Sequence, residues 1–241
     1  MILFLSSSPC VPNAPRAILN PENGFVDNLI SVLPRRPRAL FVCSERDGYD
    51  FTDGFARDFS QALREAGVDL AGTLTLDGRT AHLAEALIWR SDLVILMGGH
   101  VPTQNRFFQE IKLKRLMANF QGVVLGISAG SMNAADRVYA QPEAPGESVA
   151  SFQRFLPGLG LTKLNILPHY QQAKNYTLDG QRLYEDVTYA DSMGECFYSL
   201  VDGTYLIVED SMTMLYGEAY RLQDGVMEQI SEKEDIVLFV E

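Results

Sequence analysis

The chain is poor in cysteine and histidine and has no long apolar run. Its three cysteines, Cys10, Cys43 and Cys196, are scattered, odd in number and without metal-ligand spacing. They support no disulfide framework and point to a reducing, cytoplasmic setting. No apolar stretch approaches the ~20 residues a bilayer-spanning helix needs, so no membrane partner is expected. The opening MILFLSSS lacks a basic flank and turns polar at once, which reads as a first strand rather than a signal peptide. Basic residues are also short: 20 Lys and Arg against 31 Asp and Glu give a net charge of −11. The densest basic stretch, Pro34–Arg38, is broken by prolines and suits a surface turn, so nucleic acid is a poor partner. The three histidines, His82, His100 and His169, do not cluster with the cysteines, and no metal is expected. "MGGHVP" has neither G-x-G-x-x-G spacing nor a P-loop Lys, so no nucleotide cofactor is expected.

What is present alternates in period. Ile2–Leu5, Ala39–Cys43, Val68–Leu76, Asp92–Met97 and Val123–Ile127 read as strands. Between them lie helical patterns at Pro21–Leu33, Phe51–Ala66 with Gly67 as its cap, Thr80–Trp89 behind a Thr N-cap, and a long Pro102–Asn119; another helix begins at Ala129–Ala135. The order predicts an α/β fold, a mostly parallel sheet with helices on both faces. Further on, Asn175–Tyr189 suits one helix. Thr204–Val208, Thr213–Tyr216, Ala219–Leu222 and Ile236–Val240 suit C-terminal β-hairpin strands, added to the same sheet or packed beside it. No linker interrupts the chain, so a single domain over 1–241 is expected.

The segment "VVLGISAGSMNAA", Val123 to Ala135, contains G-x-S-x-G between an apolar strand and a helix. Such an elbow lifts Ser128 above the strand end and aims the next amide, Ala129 N–H, at a reacting carbonyl. The bland alternative is a small-residue turn for close packing. A serine nucleophile needs a base. His82 sits in a helical pattern, and His100 follows "DLVILMGG" at a strand end. His169 follows Pro168 in "LNILPHYQQ", also at a strand end, and is the best base. For the orienting acid, Asp202 in "SLVDGTYLIVE" competes with its ordinary role in an Asp-Gly turn, and with Glu143 and Glu147 in "QPEAPGESVA".

With these pieces together, the sequence resembles the peptidase E family, the S51 serine peptidases, whose fold is class I glutamine amidotransferase-like and flavodoxin-like. "VILMGGHVPTQ", "LGISAGSMNAA", "LNILPHY" and "YSLVDGTYLIVE" carry the likeness in order, over most of Asp92–Glu209. The resemblance implies Ser128 as nucleophile, His169 as base and Asp202 as third member. It implies an oxyanion hole from the Ala129 N–H and an amide at Gly99 or His100. Ser128 stands where the amidotransferases carry Cys, which argues against glutaminase chemistry. Two positions depart from the pattern. Gly-Gly-His replaces the Gly-Gly-Gly-Asn of aspartyl dipeptidases, so His100 crowds the pocket or contacts substrate. Asp202 replaces Glu, which leaves a mobile-loop acid, Glu147, as alternative. The implied activity is hydrolysis of small peptides, α-aspartyl dipeptides above all, by a monomer or homodimer. Alternatives are a cyanophycinase-like or other amide or ester hydrolase, or an inactive binding homologue. Aspartate recognition calls for a cation: Arg182 is the first candidate and Arg106 the second, each with a surface ion pair as its ordinary alternative, and Gln104 is a further candidate substrate contact.

Overall fold

The computed structural model describes residues 1–210 and 212–240, Val240 by its backbone alone. Five parallel strands form the centre: β1 (Ile2–Ser6), β2 (Arg38–Val42), β3 (Gly72–Leu76), β4 (Leu93–Leu96) and β5 (Val123–Ile127). They lie in the order β1-β5-β4-β2-β3. Their side chains alternate between two apolar layers. Leu5, Val42, Leu96 and Val124 face one layer, with Phe107, Phe108, Leu113 and Met117 against them. Phe4, Phe41, Ile95 and Leu125 face the other, covered by Phe25, Leu29, Phe59 and Leu63. Both faces are therefore sealed by helices, which explains why these strands are near-continuous Val, Ile, Leu and Phe.

The helices are α1 (Phe25–Val32), α2 (Tyr49–Glu65), α3 (Ala84–Trp89), α4 (Val101–Glu110), α5 (Leu113–Met117), α6 (Ala129–Asn133) and α7 (Tyr170–Ala173). Helix α2 ends as the sequence predicts. Gly67 takes φ +102°, and the Gly67 and Val68 amides donate to the Arg64 and Leu63 carbonyls, a Schellman closure. The single helix expected over Pro102–Asn119 is instead broken at Lys112, whose φ is 56°. At 100° per residue, Met117 on a straight helix would stand opposite Phe108; the break buries both in one layer. Thr80 stands at the N-cap position as expected, but its side chain makes no cap: the hydroxyl accepts the Asp77 N–H and donates to the Thr75 carbonyl, tying the turn after β3. That strand also starts later than expected, at Gly72.

Past α6, β6 (Arg137–Tyr139) pairs with β7 (Phe155–Pro157), and β8 (Asn165–Leu167) opens a second sheet. The helix expected over Asn175–Tyr189 is largely replaced. Asp179 and Gly180 both take positive φ, 52° and 81°, and turn β9 (Thr177–Leu178) back on β10 (Gln181–Arg182). Only Leu183–Asp191 remains helical, its first part a π-helix. The C-terminal strands are β11 (Cys196–Leu200), β12 (Tyr205–Glu209), β13 (Met212–Tyr216), β14 (Ala219–Gln223), β15 (Val226–Ser231) and β16 (Ile236–Val240). They divide between the two placements the sequence allows. Strands β12, β13 and β16 extend the main sheet antiparallel beyond β1 to eight strands, while β15, β14, β11 and β8 form the four-stranded second sheet. The fold class expected is the one observed.

Candidate active site

Each sheet delivers one adjacent pair of parallel strand ends to the same place. In the main sheet Ser6 lies beside Ile127, so the chain after β1 runs next to the chain after β5. In the second sheet Leu167 lies beside Ser199, so Pro168-His169 emerges next to the turn that follows β11. Ser128 and Ser7 come from the first pair, His169 and Asp202 from the second.

The elbow is held in a conformation that only its neighbours make possible. Ser128 has φ 51° and ψ −113°, costly for a residue with a side chain. A Cβ on Gly126 would lie 2.8 Å from the Ser131 Cα, and one on Gly130 would lie 2.1 Å from the Leu96 carbonyl oxygen. Both glycines are thus required for α6 to press against β5 and β4. The Ser128 amide donates to the Ser6 and Ser7 carbonyls at 3.0 and 3.1 Å. The Ser131 hydroxyl reaches the Ser6 carbonyl and the Ser6 hydroxyl reaches the Gly126 carbonyl, each at 2.8 Å. This polar seam satisfies buried groups and clamps the turn.

From Ser128 a chain of hydrogen bonds crosses between the sheets. Ser128 Oγ is 3.0 Å from His169 Nε2. His169 Nδ1 is 2.7 Å from Asp202 Oδ1. His169 stands at φ 58° directly after Pro168, so the ring turns back over the strand end. Asp202 sits at the second position of a turn closed by the Thr204 amide on the Val201 carbonyl at 3.0 Å. Gly203 supplies the φ of +89° that such a turn demands. Burial pushes the Asp202 carboxyl up. The hydrogen bond and charge of His169, with the Ser7 and Gln171 donors, outweigh it and leave the carboxyl below its ordinary value.

Two residues of this array do not stand out in the sequence. Ser7 Oγ accepts the His169 amide at 2.7 Å and donates to Asp202 Oδ1 at 2.7 Å, linking the sheets. Gln171 donates through Nε2 to Asp202 Oδ2 at 2.5 Å and accepts the Asp202 amide at 3.1 Å. The Ser-Ser-Ser run at the end of β1 is the only trace of the first. Gln171 is legible only once His169 and Asp202 are known to meet.

Beside Ser128 and His169 lies a cavity of about 210 Å³. Gly99 and Ala129 line it, together with Gln141, Pro142 and Glu143 from one loop and Tyr176 and Leu183 from another. The Ala129 N–H opens α6, so the helix offers it no acceptor. His100 does not line the cavity. Its ring is engaged on both sides, Nδ1 with Thr103 Oγ1 at 2.7 Å and Nε2 with Glu147 Oε1 at 2.8 Å. Glu147 is therefore occupied by His100, and Asp202 is the carboxylate on His169. Burial raises the Glu147 carboxyl, but the Glu143 and Ala144 amides and His100 bring it below its ordinary value.

Three expected substrate contacts lie elsewhere. Gln104 is fully buried, donating to the Met97 carbonyl at 2.6 Å and accepting from Asn133 at 3.0 Å. It braces α4 against α6. The Arg182 guanidinium is bound by Asp186 in an exposed pair within one helical turn. Arg106 is exposed on α4 and does not line the cavity. No lysine or arginine is among the residues lining it. Among the described residues, no three His, Cys, Asp or Glu side chains are grouped as a metal ion requires.

A doubly covered α/β sheet with a serine elbow at its strand ends, linked through histidine to a buried carboxylate, defines an elbow-bearing protein of the peptidase E architecture. The family model for peptidase family S51 matches residues 23–216, and the chain belongs to that family. Among solved structures, it is similar to the crystal structure of a "Putative Peptidase E Protein" from Listeria monocytogenes EGD-e. The TM-score is 0.58 and the identity 14%, over 95% of this chain and 98% of the other. No curated protein matches the sequence.

Proposed function

We propose that this member of a peptidase family is a serine peptidase acting on small peptides through an acyl-enzyme. The observation that carries the reading is the unbroken Ser128–His169–Asp202 hydrogen-bond chain beside the cavity. His169 takes the Ser128 proton as the oxygen attacks the scissile carbonyl. Asp202 holds the imidazole in the tautomer with its proton on Nδ1 and stabilises the imidazolium. The Ala129 amide and an amide of the Gly99 turn receive the developing oxyanion, each such donor contributing roughly 10²–10³ in rate. His169 returns its proton to the leaving amine, and water, activated by the same ring, releases the acid product.

Small size of substrate follows from the space. A cavity of about 210 Å³ lies below the ~300–1,000 Å³ of pockets that take drug-sized ligands. The aspartyl preference implied by the family resemblance lacks the cation it would need in this lining. A fluorophosphonate probe tests the chemistry: one adduct at Ser128 is expected, together with hydrolysis of at least one dipeptide that Ser128→Ala abolishes. Full hydrolysis by Ser128→Ala would remove the reading.

A further inference from the structure

The lining of the cavity contains one carboxylate, Glu143, and no lysine or arginine. Its Oε1 accepts the Val101 amide at 3.0 Å, at the first residue of α4. No other hydrogen bond to this carboxylate is made by the described residues. The loop that carries it is pinned on three sides. Glu147 is held by His100, the Glu147 and Ser148 carbonyls accept from Arg154, and Asp179 accepts from the Gly146 and Ser148 amides. Glu143 is thus a fixed group with spare acceptor capacity beside the Ser128 nucleophile. The residue is exposed overall, but burial of its carboxyl and the nearby Glu147 charge push that carboxyl up, only partly offset by the Val101 amide and the charges of His100 and His169. A cation from outside would complete its surroundings.

We propose that Glu143 anchors the free α-ammonium group of the substrate, making the site selective for unblocked peptides with a neutral or basic first residue over those beginning with aspartate. As to cleavage, this rests on Ser128 being the nucleophile; as to binding, it does not. An ammonium on Glu143 would lie in the same cavity as Ser128, whose volume of about 210 Å³ suits a short acyl side. An aspartyl side chain would add a second carboxylate to a lining without lysine or arginine, a repulsive element against that substrate.

The test uses the full chain carrying Ser128→Ala and titrates it calorimetrically with alanyl-alanine, lysyl-alanine, aspartyl-alanine and their N-acetyl forms. The free alanyl and lysyl peptides are expected to bind roughly 10- to 100-fold more tightly than their acetylated forms, the range a hydrogen bond to a charged group supplies. Aspartyl-alanine is expected to bind more weakly than alanyl-alanine. In Ser128→Ala/Glu143→Gln the preference for the free amine is expected to collapse to within about threefold. Equal binding of free and acetylated peptides, tightest binding of aspartyl-alanine, or a preference that survives Glu143→Gln would each overturn the proposal. The first two comparisons need no change at Glu143, so they stand even if that variant does not fold. Hydrolysis of the same peptides by the unsubstituted protein reports separately. An intact amine preference without hydrolysis defeats only the peptidase reading, and Ser128-dependent hydrolysis without amine preference defeats only this one.

Discussion

At the residue scale, the elbow shows how one atom's worth of space sets a site. Gly130 is required because a Cβ there would lie 2.1 Å from the Leu96 carbonyl oxygen, and that oxygen belongs to a central strand that cannot give way. Gly130→Ala is therefore expected to destabilise the protein by at least ~2 kcal/mol, by overpacking. Urea unfolding checks this, and an unchanged midpoint would mean that α6 can lift off the sheet. Ser7 works differently, since its hydroxyl both accepts from the His169 backbone and donates to Asp202. Ser7→Ala leaves the His169 amide without its acceptor and Asp202 without one donor. Each loss is of order 1–3 kcal/mol, so kcat is expected to fall roughly 10- to 100-fold with KM nearly steady. A rise in KM alone would place Ser7 in substrate binding rather than in positioning.

At the element scale, the loop between β6 and β7 is tied to the body by polar groups at several points. Arg154 is its main fastener, reaching the Glu147 and Ser148 carbonyls and the Asp191 carboxylate with its side chain only 13% exposed. Arg154→Ala leaves those acceptors short of a donor, and local opening of the loop is expected at a cost of about 2 kcal/mol. Limited proteolysis should then cut within 144–151 at least tenfold faster, with KM raised because Gln141, Pro142 and Glu143 line the cavity. Unchanged cutting would show that His100, Val101 and Asp179 hold the loop without Arg154. Elements such as this one are hard to read in a sequence. The parallel strands were legible because their apolar runs are continuous, and the Ser128 turn because strand, glycines and helix follow in order. Pairing of His169 with Asp202 was legible only through the order of motifs, since nothing in either segment says that β8 and β11 are parallel neighbours. The Asp179-Gly180 hairpin did leave a local signal, the same Asp-Gly dipeptide that marks the turn at Asp202. There, a helical spacing of apolar residues competed with it, and two residues at positive φ prevailed. The role of Arg182 was not legible because its partner, Asp186, lies one turn away and claims the guanidinium locally.

At the scale of the whole molecule, the question is what links the two sheets and how acid acts on that link. Most ion pairs here join exposed side chains, such as Arg36 with Asp69 and Arg221 with Glu228, and contribute little. Less exposed carboxylates stand in the pairs of His169 with Asp202 and His100 with Glu147, and Asp202 also accepts from Ser7 of the other sheet. Both carboxyls lie below their ordinary values of 3.8 and 4.5, because the donors around them outweigh burial. A carboxyl whose folded pKa is below its unfolded one binds fewer protons in the folded state. Its stabilisation is therefore complete above the unfolded value and is lost as pH falls through the folded one. Urea midpoints are expected to stay level from pH 7 to about 5 with respect to these two groups and to fall steeply below about pH 4. Asp202→Asn should lower the midpoint at pH 7 and flatten the acid limb, because the less exposed of these two carboxyls no longer takes up a proton. An acid limb of undiminished slope in Asp202→Asn would place the acid sensitivity in other carboxylates and detach it from the seam between the sheets.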